Sequence, residues 1–175
     1  MGLYYPALLK SIGTRLQADT TLVGYMGGSD STARTLNIAT TFPKPAADPR
    51  GTTYPFVCIW PVSDVVDDTF DGRKLDLTFE VHAFTEVQPT TTDSTLLKLV
   101  KIHERIVGDW ASHSDRVPVY GLDRFLPDFT GYTGDAATAY SATHIEYKGF
   151  QDLTDPIGDR REWVMTFDVS MTLES

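Results

Sequence analysis

With 175 residues, 41% hydrophobic and 22% charged, the chain has the size and make-up of one folded domain, not of a disordered, collagen-like or disulfide-built protein. Twenty-four acids against fifteen bases leave a formal charge of −9, which disfavours a direct grip on nucleic-acid phosphates. Much of that excess is local, because residues 64–93 hold eight acids opposed only by Arg73 and Lys74, a net −6.

The opening Met1-Gly2-Leu3-Tyr4-Tyr5-Pro6 lacks the basic and apolar regions of a signal peptide, and Pro6 replaces the Ser or Thr of a myristoylation signal. No apolar run approaches the ~20 residues that cross a bilayer, so a cytoplasmic place of synthesis is expected. Residues 6–18 read as a helix: Pro6 suits its first position, and Leu8, Leu9, Ile12 and Leu16 form one stripe. A short helical turn over 21–26 is expected to stop at Gly27-Gly28. From 27 to 53 the pattern dissolves into Ser, Thr, Asp, Pro and Gly, broken by a brief apolar alternation near Leu36 and Ile38. That stretch is expected to be a long loop, of a kind that becomes ordered against a neighbour.

Residues 54–66 and 73–86 read as the two strands of a hairpin, with the turn at 67–72. In the second strand Leu75, Leu77, Phe79, Val81 and Ala83 alternate with Asp76, Thr78, Glu80 and His82, which predicts one dry face and one wet face. The first strand is apolar on both faces, so Cys58, the only cysteine, is expected to be a buried and inert thiol. Residues 93–110 give the strongest helical pattern. Leu96, Val100, His103, Val107 and Trp110 recur at spacings of 4, 3, 4 and 3, Leu97, Leu99 and Ile106 widen the stripe, and Thr92, Asp93 or Ser94 can cap its start. A short strand is expected over 117–125, interrupted by Pro118, and a second long loop over 128–143. The chain closes with a hairpin, 145–153 and 162–173, around a turn at 155–159; six apolar residues from Trp163 to Leu173 stay in step in its second strand. The sum is an α+β domain spanning 1–175: a mainly antiparallel sheet with two helices packed on one face.

Reactive chemistry finds little support in these patterns. Asp67-Asp68-Thr69-Phe70-Asp71-Gly72 resembles the start of a calcium loop, but the twelfth position, which needs a bidentate Glu, is Thr78, and the flanks read as strands. The tip is better read as a solvated hairpin turn. No metal-ligand spacing links His82, His103, His113 and His144, and His103 on the helix stripe is expected to be a packed, hydrogen-bonded histidine. There is no GxSxG elbow, and Gly27-Gly28-Ser29 lacks the Lys of a phosphate-binding loop. Trp60, Trp110 and Trp163 all sit on apolar patterns and are expected in the core. No catalytic, metal or cofactor-binding residue is expected, and no cofactor.

The order of segments carries more information than any motif. Asp19-Thr20-Thr21-Leu22 closes the opening helix, Tyr54-Pro55-Phe56-Val57 opens the first strand, and Leu77 to His82 alternate before the helix STLLKLVKIHERIVGDW. In these features, over roughly residues 6–110 and the last strand, the chain resembles the tail terminator (tail completion) proteins of long-tailed bacteriophages. The resemblance implies a virion structural protein and not an enzyme: a homohexameric ring capping the head-proximal end of the tail tube. Its partners would be further copies of itself, the tail tube protein and a head–tail connector or head-completion protein. DNA would pass through the ring without specific binding, and no membrane would be involved. A neck or tail-tube component of the same particle, or an unrelated binding domain, are the competing expectations. Within the ring reading, Asp67, Asp68, Phe70 and Asp71 at the hairpin tip are candidates for the lumen or an interface.

Overall fold

The strict alternation of the two longest apolar strands organises the architecture. The computed structural model describes residues 4–40, 54–69, 72–86, 94–108, 119–129, 140–154 and 160–174. In chain order the elements are α1 (Tyr4–Gln17), α2 (Thr20–Tyr25), α3 (Ser31–Leu36), β1 (Ile38–Ala39), β2 (Phe56–Thr69) and β3 (Gly72–Glu86). They continue with α4 (Ser94–Val107), β4 (Tyr140–Ala142), β5 (Glu146–Asp152) and β6 (Arg160–Glu174). β3 lies between β2 and β6, antiparallel to both, and β4 and β5 share the far side of β6.

Because side chains in a strand alternate between faces, the period of two sends one residue set to each side. Leu75, Leu77, Phe79, Val81 and Ala83 of β3 are buried on the helix side with Met165, Phe167, Val169 and Met171 of β6. Phe79 and Phe167 stack with ring centroids 5.3 Å apart. Leu8, Ile12 and Leu16 of α1 and Leu99, Ile102 and Ile106 of α4 complete this core. Each such side chain contributes roughly 1.5–3 kcal/mol by leaving water. Cys58 is fully buried, as its neighbours imply.

The sheet is mixed and not purely antiparallel, since β1 pairs parallel with β2 through Ile38↔Val57 and Ala39↔Cys58. Four helices stand where two were expected, and α3 and β1 occupy part of the stretch 27–53 that the sequence suggests is loop. Asp30 explains the extra helix: its Oδ1 accepts from Ala33 N at 2.8 Å, so a polar residue that looks like loop acts as an N-cap. Residues 41–53 lie outside the described residues.

α4 is also turned relative to the expected stripe. Leu99, Ile102, Ile106 and Val107 are buried, Leu96, Val100 and His103 are half-buried, and Leu97 is exposed. The apolar arc is wide enough for either setting, and Arg105 decides between them by reaching Asp19. Trp110 lies outside the described residues.

No strand forms over 119–125. Leu122 N donates to Ile106 O at 2.8 Å and Asp123 N to Val107 O at 2.9 Å, so this segment spends its N–H groups on the open end of α4. The approach is close because Gly121, with φ 84°, faces Gly108, where an added Cβ would sit 2.5 Å from the Gly108 Cα. In the stretch 128–143, Phe129 is buried and Tyr140–Ala142 form β4, while 117–118 and 130–139 lie outside the described residues.

Asp19 ties these pieces together. Its Oδ1 caps α2 by accepting from Thr21 N and Leu22 N at 3.0 and 3.1 Å. The same carboxylate takes a two-pronged bond from Arg105, Nε at 2.8 Å and Nη2 at 2.7 Å. The guanidinium lies over the Tyr120 ring, 3.4 Å from its centroid. Asp19→Ala removes a cap and leaves a partly buried cation unmatched, so it is expected to lower stability by about 2–4 kcal/mol. Asp19→Asn, which keeps the cap, should cost less. Urea unfolding of both variants checks this, and an unchanged midpoint for Asp19→Ala would contradict it.

Candidate functional site

The hairpin tip singled out by the sequence is only partly described. Phe70 and Asp71 lie outside the described residues, and Asp67 and Asp68 are described through the backbone of β2. The register is informative even so: Asp67 stands opposite Lys74 and Asp68 opposite Arg73. The only two bases of the acidic stretch thus stand across from two of its acids in the backbone register. Thr78, the residue at the twelfth position of the calcium-like pattern, is on β3, and its hydroxyl donates to Asp168 Oδ1 at 2.7 Å. Among the described residues no three His, Cys, Asp or Glu side chains come together in a way that could hold a metal ion.

The sheet face turned away from the core carries most of the polar chemistry. Near its middle, His82 is sandwiched between two carboxylates, Nδ1 at 2.8 Å from Glu162 Oε1 and Nε2 at 3.1 Å from Glu80 Oε2. The sequence places His82 on a wet face; the structure buries it at 8% exposure. The cause is the company it keeps, since β2 and β6 set Cys58 and Val164 beside it in the same row and Phe84 stacks along its ring. Both ring nitrogens can donate together only in the imidazolium form, which therefore satisfies both carboxylates. With both nitrogens facing carboxylates, one on its own strand and one on β6, the ring is arranged to tie β3 to β6. It is poorly arranged to serve as a general base.

Toward the other end of this face the polar side chains form a ladder. Asp76 takes bonds from Ser170 and from Lys74, the latter at 3.2 Å, and Lys148 reaches both Glu146 and Asp168. These contacts hold the Asp76 and Glu146 carboxyls below their ordinary range, Asp76 through Ser170 first and Glu146 through Lys148. An open groove of about 1060 Å³ runs over the ladder between β2 and the 143–148 segment. Asp76, Glu146, Lys148 and Asp168 in its lining bond one another or a neighbouring side chain, which makes a hydrophilic surface.

Apolar side chains reach the surface at two places, the first on the strand that the sequence assigns to the interior. Trp60 of β2 is 44% exposed, and Val62 and Val65 follow it. Trp60 stands opposite Glu80 on the outer face, and Val62 sits in a register shift between Pro61 and Ser63 that breaks the strand's alternation. On β5, Phe150 is 51% exposed and leans on Trp163 with centroids 4.9 Å apart.

One solved structure with this architecture is a chain of the virion of a native gene transfer agent particle. The match has a TM-score of 0.58 and spans 98% of this chain and 99% of that one, at 11% sequence identity. At that identity the likeness establishes a common fold. No protein-family model and no curated protein matches the chain.

His103 is packed and hydrogen-bonded, in the manner its place on α4 implies. Its Nε2 lies 2.9 Å from the Tyr147 hydroxyl, and Tyr147, Phe150 and Trp163 meet the ring edge-on. Burial among these rings pushes its pKa below the ordinary imidazole value, with Glu104 opposing the shift weakly. A depressed histidine means that the unfolded chain takes up the proton first, so this contribution is intact above about pH 6.5 and declines as pH falls below it. His103→Phe is expected to lose less stability than the wild type between pH 7.5 and pH 5.5 by urea unfolding, and equal losses would refute the assignment.

Proposed function

We propose that the chain is a structural protein of a phage-like virion, a terminator that forms a homo-oligomeric ring at the head-proximal end of the tail tube. The observation that carries this reading is the full-length likeness to a chain of a gene transfer agent virion. It is joined by the segment order that resembles tail terminators: the Asp19–Leu22 turn, the Tyr54–Val57 strand start and the Leu77–His82 alternation. The chemistry of the sheet supports a structural role in preference to an enzymatic one. His82 faces a carboxylate with each ring nitrogen, and the hydroxyls of Thr78 and Ser170 bond Asp168 and Asp76.

On this reading the ring stops tube growth and offers a surface to a head connector or head-completion protein. The partners are further copies of the chain, the tube protein and that connector, assembled in the host cytoplasm into the neck of the virion. The net charge of −9 suits a lumen through which DNA slides without sticking.

Electron microscopy of lysates from a phage lacking this gene tests the proposal. Unjoined heads and tails of uncontrolled length are expected, restored to whole particles when the gene is supplied in trans. Normal joined particles in the deletion, or long filaments formed by the purified chain, would overturn it.

A further inference from the structure

We draw no further inference here: the strongest candidate, the apolar patch that Trp60 and Val65 expose on the outer face of β2, carries none, because nothing in the structure shows what covers it.

Discussion

The carboxylate of Asp19 satisfies two demands that would otherwise conflict. The α1–α2 turn leaves helix N–H groups without partners, and α4 carries a guanidinium on the side facing that turn. One side chain, 6% exposed, accepts from Thr21 N, Leu22 N and both prongs of Arg105. The consequences spread outward. Arg105 fixes the rotation of α4 and thereby chooses Leu99, Ile102 and Ile106 as its inner face. Its flat upper side seats Tyr120, which leads into the segment whose N–H groups close the end of α4. The sheet supplies the apolar area of the core, and this ion pair decides how the helices lie upon it.

The same residue shows what a single sequence conceals. Asp19 opens the Asp-Thr-Thr-Leu stretch that supports the family resemblance, and its capping role is local, so it is legible from neighbouring residues. Its bond to Arg105 spans 86 positions, and no periodicity announces a pair so distant. The strands were legible because alternation is a strictly local signal, and the apolar residues of β3 keep it from Leu75 to Ala83 and those of β6 from Trp163 to Leu173. Residues 119–125 misled because the apolar and small residues that suit a strand also suit a helix cap. His82 misled for a related reason. Its own strand alternates like a wet face, but burial was settled by Val164 and Cys58 on the two neighbouring strands. Of the candidate hairpin tip, the sequence yields the charge, while the placing of Asp67 and Asp68 opposite Lys74 and Arg73 depends on a register that only the fold supplies.

The two faces of the sheet divide the labour between stability and surface. On the helix side the interior is apolar and continuous, and on the other side a row of matched polar groups runs from Lys74 to Glu146. Polar groups matched within one chain gain little from meeting another protein, because their hydrogen bonds are already made. Specific association is better served by surfaces where apolar area is exposed and charge is unbalanced.

The sheet edges narrow the possibilities further. An unprotected edge strand invites unlimited pairing with other chains. β2 carries Pro61, which has no N–H to offer, and a register shift at Val62; β5 carries a shift between Tyr147 and Gly149, with Lys148 at the irregularity. These are devices that discourage strand-to-strand addition. An assembly built from this chain therefore draws its specificity from side chains and not from a backbone ladder. A ladder repeats wherever an edge is free, whereas a fit of side chains is confined to surfaces that complement each other.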